Sequence, residues 1–91
     1  MSRETCRFLY TVEAETDPQL PARILGLFTQ RGCLPAWFSS RCTSAERLRV
    51  VVEIGGLDPA TCELLSRKLL NVPTVLDVSL RRLAARTAVA V

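Results

Sequence analysis

Apolar residues occupy every second position in two stretches of the chain, "CRFLYTVEAE" (residues 6–15) and "ERLRVVVEI" (residues 46–54). A period of two is typical of a β-strand that buries one face. Both stretches are therefore predicted to be strands. The positions expected to face the core are Phe8, Tyr10, Val12 and Ala14 in the first and Leu48, Val50, Val52 and Ile54 in the second.

Two further apolar stretches are predicted strands with weaker alternation. In "CLPAWFSSRCT" (residues 33–43), Pro35 has no N–H to donate to a neighbouring strand, which favours an edge position or a strand end. In "VPTVLDVSLRRL" (residues 72–83), the inward residues are expected to be Leu76, Val78 and Leu80. The chain is thus predicted to contain four strands.

Helical spacing appears between these strands. After Leu20, apolar residues recur at Ile24, Leu27 and Phe28, with Pro21 in the first turn and Gly32 as the stop signal. The second helix is predicted in "GGLDPATCELLSRKLLN" (residues 55–71). Its N-cap is Asp58, its first helical residue is Pro59, its buried stripe is Leu65 and Leu69 with either Cys62 or Thr61, and Asn71 closes it.

Gly26 lies in the middle of the first predicted helix, where glycine costs about 1 kcal/mol relative to alanine. Together with Ala22 and either Thr29 or Gln30 it forms a stripe of smaller side chains. Such a stripe predicts a close approach by another element, either the second helix or the same helix of a second subunit.

The element order is strand, helix, strand, strand, helix, strand, which predicts an α+β fold, the ferredoxin-like βαββαβ sandwich. Four antiparallel strands in the spatial order 4-1-3-2 are expected to carry both helices on one face. Residues 1–83 are predicted to be a single domain, followed by a short carboxy-terminal tail, residues 84–91.

Charge and composition exclude several classes of function. The net charge of +3 is mild and interspersed, and the nearest basic cluster, Arg41, Arg47 and Arg49, is interrupted by Glu46 and Glu53, so nucleic-acid binding is not expected. No run approaches the ~18 apolar residues of a membrane span, and the polar amino terminus "MSRETCR" resembles no signal peptide. A cytoplasmic protein without a membrane partner is expected.

The cysteines and the missing histidines bear on metal binding and catalysis. Four cysteines are spread without a C-x-x-C motif, so they are interpreted as small buried apolar residues or bystanders rather than metal ligands. The sequence contains no histidine, and the acids near residues 13–17 are interpreted as capping and solvated strand residues. The first and third strands also lack the outward aromatic residues of an RNA-recognition module. We therefore expect no catalytic residues and no metal site.

From Val12 to about Val78 the sequence resembles an ACT domain, the small-molecule-sensing module of amino-acid metabolism. It is most similar to the small, regulatory subunit of acetohydroxyacid synthase (acetolactate synthase), in its short, single-domain form. The resemblance rests on "RILGLFTQRG" (residues 23–32), on the strand after it, and on "LLSRKLLNVPTVLDVSL" (residues 64–80), which is similar to the family's second helix and fourth strand.

The resemblance implies a non-catalytic subunit of branched-chain amino acid biosynthesis. Such a subunit binds the large catalytic subunit, raises its activity and, in many members, confers feedback inhibition by valine. Thiamine diphosphate, magnesium and FAD belong to the catalytic partner, so this chain is expected to hold no cofactor.

The effector loop departs from the family pattern. In valine-sensitive members this loop reads Asn-x-Pro-Gly-x-Leu and holds the carboxylate of the amino acid at the start of the first helix. The resemblance assigns the role to Thr16, Asp17, Pro18, Gln19 and Leu20, but the asparagine and the glycine are missing. Because Gln19 restricts the close approach that glycine permits and Asp17 adds a negative charge, weak or no valine feedback is expected.

A contact surface is predicted on the uncovered sheet face and the second strand. Leu9, Trp37, Val51 and Val75 are expected to form its apolar centre within a charged rim. ACT domains commonly pair through their second strands, which implies a homodimer, and an exposed apolar edge at "LPAWFSS" (residues 34–40) gives a physical motive. The predicted interface residues are Trp37, Leu34, Phe38, Leu9 and Val51. The alternative function is a free-standing ACT-like domain that binds an amino acid or another small metabolite and regulates a different enzyme.

Overall fold

The computed structural model describes residues 7–83 and contains the six predicted elements in the predicted order. They are β1 (Arg7–Glu15), α1 (Leu20–Thr29), β2 (Trp37–Ser44), β3 (Arg47–Gly55), α2 (Pro59–Leu70) and β4 (Val75–Leu83). The strands form one antiparallel sheet in the order β2-β3-β1-β4, which confirms the ferredoxin-like prediction. The predicted tail, residues 84–91, lies outside the described residues.

Alternation in the two central strands builds the core. The eight positions predicted from the sequence to face inward in β1 and β3 are all buried, at 5% exposure or less. They pack against the buried sides of both helices, which supply Leu20, Ile24 and Phe28 from α1 and Cys62, Leu65 and Leu69 from α2. Both helices therefore cover the same face of the sheet.

The helix ends follow the predicted local chemistry. The carboxylate of Asp58 accepts hydrogen bonds from the backbone N–H and the hydroxyl of Thr61, at 3.4 and 2.6 Å, and caps α2. After α1, Gly32 adopts a φ of 74°, and the N–H of Cys33 donates to the carbonyl oxygen of Phe28 at 3.0 Å. A glycine with positive φ at this point allows the backbone to reverse and satisfy the last carbonyl groups of the helix.

The predicted inward face of β4 is wrong at its beginning. Leu76, expected in the core, is 45% exposed, whereas Val75, expected on the uncovered face, is buried at 8%. The pairing between β1 and β4 shifts register here, because Glu13 pairs with Asp77 while Ala14 pairs with Val75. Leu76 is thus the extra residue of a β-bulge, which interrupts the alternation that the prediction assumed.

Gly26 does not mediate a close contact between the two helices. A Cβ placed on Gly26 would meet no atom within 4 Å outside its own neighbouring helical backbone. The expectation that α2 approaches closely at this point is therefore wrong. Space around Gly26 is open on the surface of the single chain.

Candidate functional site

The loop between β1 and α1 holds the five residues assigned to effector binding. Its first residue, Thr16, is fastened to the turn between β2 and β3. The Thr16 hydroxyl donates to the carbonyl oxygen of Ala45 at 3.1 Å, and the Thr16 N–H donates to the carbonyl oxygen of Glu46 at 3.2 Å. Thr16 is exposed, but both of its donors are already used within the chain.

Asp17 places a carboxylate at the start of α1. Its Oδ1 accepts a hydrogen bond from the N–H of Gln19 at 3.0 Å, and its Oδ2 accepts one from the hydroxyl of Thr74 at 3.2 Å. The carbonyl oxygen of Asp17 accepts from the N–H of Leu20 at 3.1 Å. Asp17 thus accepts from two N–H groups at the helix start. Its side chain accepts from Gln19, and its backbone carbonyl accepts from Leu20.

Two prolines further reduce the number of backbone N–H donors at the start of α1. Pro18 and Pro21 have no N–H group, so neither can contribute a donor to a bound anion. A helix amino terminus attracts anions because its first N–H groups are unpaired and carry partial positive charge. Here an internal carboxylate already takes that position, which disfavours the carboxylate of an amino acid.

The other loop residues divide between solvent and core. Pro18 and Gln19 are exposed, whereas Leu20 is fully buried among the core residues. The structure therefore brings the five assigned residues together in one loop, but it turns Leu20 inward, away from any ligand in the loop. Leu20 is part of the hydrophobic core.

A shallow, open groove lies beside this loop. It is lined by Glu15 and Thr16 from the end of β1 and by Glu46 and Arg47 from the start of β3. The sequence alone did not predict this groove, because its two sides lie about 30 residues apart and are joined by the pairing of β1 with β3 and by the hydrogen bonds of Thr16 to Ala45 and Glu46. An arginine between two acids offers complementary groups to a small zwitterion in a solvent-exposed setting.

The sheet face turned away from the helices carries the predicted contact residues Leu9, Val51 and Trp37. We refer to it as the open face. Leu9 and Val51 are half-buried between neighbouring side chains, and Trp37 is 59% exposed. By strand alternation and register, the open face includes Arg7, Leu9, Thr11, Glu13 and Glu15 of β1, Trp37, Ser39 and Arg41 of β2, Arg47, Arg49, Val51 and Glu53 of β3, and Asp77, Ser79, Arg81 and Leu83 of β4.

Two predicted interface residues lie elsewhere. Leu34 is in the loop before β2 and is 85% exposed. Phe38 pairs with Val52, so it belongs to the sheet face that carries the helices, where it packs at the margin of the core. Trp37 and Phe38, although adjacent, therefore face opposite sides of the sheet.

Ion pairs order the long side chains of the open face. Arg49 Nε donates to Glu13 Oε2 at 2.6 Å, across the boundary between β3 and β1. Arg7 pairs with Glu53 on the same two strands, further toward the amino end of β1. Both pairs are partly exposed, so they orient the side chains more than they stabilise the fold.

A sequence profile of the ACT-like domain family matches residues 1–87. The chain belongs to the ACT-like domain family. A search of curated protein sequences finds no match. The match extends over nearly the entire chain, and it agrees with the fold that the alternating strands and the two capped helices predict.

Solved structures show how widely this fold recurs. The ACT domain of the GTP pyrophosphokinase of Chlorobium tepidum is 16% identical, with a TM-score of 0.69 over 85% of this chain and 96% of that chain. The C-terminal domain of the MgtC protein of Mycobacterium tuberculosis is 15% identical, with a TM-score of 0.74 over 97% of this chain and 98% of that one. At such identities the likeness concerns the fold alone.

The cysteines and carboxylates of residues 7–83 are dispersed over the fold. Between residues 7 and 83 no three His, Cys, Asp or Glu side chains are grouped so that they could hold a metal ion. Cys62 is buried in the core, Cys33 is half-buried and Cys42 is exposed, while Cys6 lies outside the described residues. Neither of the two helices in this part of the chain has the length and apolarity to cross a membrane.

Tyr10 is a core residue whose phenol has a strongly shifted pKa. Burial raises the pKa of Tyr10 well above its ordinary value, and the hydrogen bond from its hydroxyl to the carbonyl oxygen of Cys62 at 2.9 Å adds to the effect. Its hydroxyl is fully enclosed. Tyr10 therefore stays protonated and is placed for packing rather than for proton transfer.

Proposed function

We propose that this ACT-like domain is a non-catalytic regulatory subunit of acetohydroxyacid synthase, which binds the large catalytic subunit and activates it. The proposal is supported by the resemblance in residues 23–32 and 64–80, which form most of α1 and the continuous segment from α2 into β4. The catalytic partner would hold thiamine diphosphate, magnesium and FAD. This chain would contribute no reacting group.

The observation that favours activation over feedback is the occupied start of α1. An effector amino acid needs free donors for its carboxylate, and the Asp17 carboxylate already accepts from the N–H of Gln19. The hydroxyl of Thr74, just before β4, donates a second hydrogen bond to the same carboxylate. Displacing it would break two hydrogen bonds and place two negative charges together. We therefore propose weak or no valine feedback.

A homodimer through β2 is part of this proposal. β2 lies at the edge of the sheet and pairs with β3 on one side only, so its other side presents backbone donors and acceptors. Leu34 and Trp37, the two most exposed large apolar side chains of the described residues, lie at or just before its first residue. An uncovered edge of this kind favours pairing with the same edge of a second copy.

A second candidate function is a free-standing domain that binds a small metabolite and regulates another enzyme. The groove lined by Glu15, Thr16, Glu46 and Arg47 favours it, because it offers both signs of charge to one ligand. The groove is open to solvent, so screened charges would give weak binding. The two candidates differ in whether a thiamine-dependent subunit is required.

Co-purification separates them. The tagged chain is co-expressed with a large acetohydroxyacid synthase subunit and captured, with the ACT domain of the Chlorobium tepidum enzyme as a control bait of the same fold. We expect the large subunit to elute with this chain and not with the control. If it elutes with neither, the regulatory-subunit proposal fails and the metabolite-binding candidate remains.

A further inference from the structure

Charges of opposite sign are separated on the open face. The arginines at one end of the face lie on β2 and β3, whereas the carboxylates at the same end lie on β1 and β4. Strand register places them in rows across the sheet, since directly paired residues of antiparallel strands project to the same side. One row reads Arg41, Arg49, Glu13 and Asp77 from β2 to β4, and the next pairs Arg47 with Glu15.

Among the described residues, only the two middle charges of the first row neutralise each other. Arg49 donates to Glu13, but within residues 7–83 neither the Arg41 nor the Asp77 side chain forms a hydrogen bond or an ion pair. Arg41 instead pairs by backbone with Arg49, and Asp77 pairs with Glu13. Like charges directly opposite each other destabilise a sheet. Both ends of the row thus carry exposed charges that an outside partner of opposite sign would relieve.

We propose that the open face binds the open face of a second copy of this chain, about a two-fold axis parallel to the strands and lying between β3 and β1. Such an axis exchanges β2 with β4 and β3 with β1. It brings Arg41 onto the partner subunit's Asp77 and Arg49 onto the partner subunit's Glu13, twice each. The contact is self-complementary, as an isologous dimer requires.

The central row of the face and the two ends of the row after it suit this arrangement. The central row contains small side chains, Ser39, Val51, Thr11 and Ser79, which lets two sheets approach to the usual separation of about 10 Å. In the following row the same axis places Trp37 onto the partner subunit's Arg81. An arginine over an exposed tryptophan face is an attractive cation–π pair.

The size of the face indicates a weak complex. Strands of eight or nine residues and the spacing of four strands give a surface of roughly 30 by 19 Å, or roughly 600 Å² per subunit, at the small end of specific interfaces. Ion pairs supply orientation and specificity more than affinity. We therefore expect association in the micromolar range or weaker, favoured at low ionic strength.

This contact is independent of pairing through the β2 edge. Edge pairing uses the backbone of β2 and leaves β4, at the opposite edge, solvent-exposed. Face pairing requires Asp77 of β4. A chain that used both contacts would form a tetramer, and a change at Asp77 would remove one association step without affecting the other.

Charge reversal tests the proposal. Arg41→Asp and Asp77→Arg each place like charges across the interface twice, so each should weaken self-association by at least about tenfold in sedimentation equilibrium at low salt. Arg23→Asp and Glu63→Arg make the same charge changes at exposed helix positions and should leave association unchanged. All four positions are exposed, and circular dichroism verifies that each variant folds.

Mixing the two variants shows whether they weaken association through the specific contact between residues 41 and 77 or through a general change of surface charge. An equimolar mixture of Arg41→Asp and Asp77→Arg restores opposite charges at both contacts and should regain the association that each has lost. The double variant of one chain should also regain it. The proposal is wrong if the wild type lacks this association step, if the single variants match their helix controls, or if the mixture stays dissociated.

Discussion

The hydroxyl of Tyr10 in β1 donates a 2.9 Å hydrogen bond to the backbone carbonyl oxygen of Cys62 in α2. The ring of the same tyrosine meets Phe28 of α1 edge to face, with 5.1 Å between ring centroids. One side chain of the central strand thus joins the sheet to both helices. These contacts stabilise the fold that positions the effector loop and the open face.

Tyr10→Phe tests the hydrogen bond by itself. It keeps the ring against Phe28 but leaves the carbonyl oxygen of Cys62 without the hydroxyl donor, so the free energy of unfolding should fall by about 1–2 kcal/mol in urea denaturation. The variant should retain the native circular dichroism spectrum. A loss below about 0.3 kcal/mol would show that the bond contributes little.

The buried hydroxyl of Tyr10 also predicts how the free energy of unfolding changes with pH. Because folding raises the pKa of Tyr10, only the unfolded chain ionises this phenol above about pH 10, and the folded state loses stability there. The difference in unfolding free energy between wild type and Tyr10→Phe should be constant below that pH. Above it the difference should shrink by about 1.4 kcal/mol per pH unit. A constant difference across pH 9–11 would contradict the buried state of the hydroxyl.

Gly26→Ala tests whether the open space beside this glycine is used by a second subunit. No atom lies within 4 Å of an added Cβ, and alanine favours the helix, so the isolated chain should gain about 0.5–1 kcal/mol of stability. The midpoint of thermal unfolding measures this. If stability rises while the apparent mass in light scattering falls, the small stripe of α1 is a contact with a second subunit.

The bulge in β4 predicts unequal losses of stability when two adjacent residues are truncated. Val75→Ala should cost about 1.5–2.5 kcal/mol, because Val75 is buried, whereas Leu76→Ala should change stability by less than about 0.5 kcal/mol. Urea denaturation of the two variants gives the comparison directly. Equal losses would contradict the register shift at Glu13 and Ala14.

The effector loop predicts little binding in the wild type and a gain on restoration of the family pattern. Calorimetry with valine, leucine or isoleucine should show no micromolar binding to the natural chain. Thr16→Asn combined with Asp17→Ala and Gln19→Gly returns the two missing residues and removes the competing carboxylate, so a measurable heat of valine binding is expected. Asp17→Ala alone serves as the control. Micromolar binding to the wild type would contradict the role given to Asp17.

Most of the fold could be predicted because it depends on short-range patterns. Alternation identified β1 and β3, and local capping chemistry identified Asp58 and Pro59 at the start of α2. Pro35 predicted either an edge position or a strand end, and the structure shows both, because Pro35 lies just before β2 and β2 is an edge strand. The bulge could not be predicted, since Val75 and Leu76 are both apolar and only the pairing with β1 decides which of them is buried.

The site was harder to predict because its contacts span the chain. The departure of the loop from the family pattern could be read at Gln19, and the negative charge of Asp17 could be noted. The bond from the hydroxyl of Thr74 to Asp17 joins residues 57 positions apart and leaves no local pattern. The same holds for the arginines and acids of the open face, whose separation appears only when the register between the strands is known.

The most direct measurement of the central claim is the activity of a purified large acetohydroxyacid synthase subunit titrated with this chain. We predict that activity rises and saturates near one chain per large subunit, and that added valine leaves the activated rate unchanged. Activity that stays at the level of the isolated large subunit would contradict the proposed regulatory role. Activation that valine reverses at micromolar concentration would contradict the account of the loop.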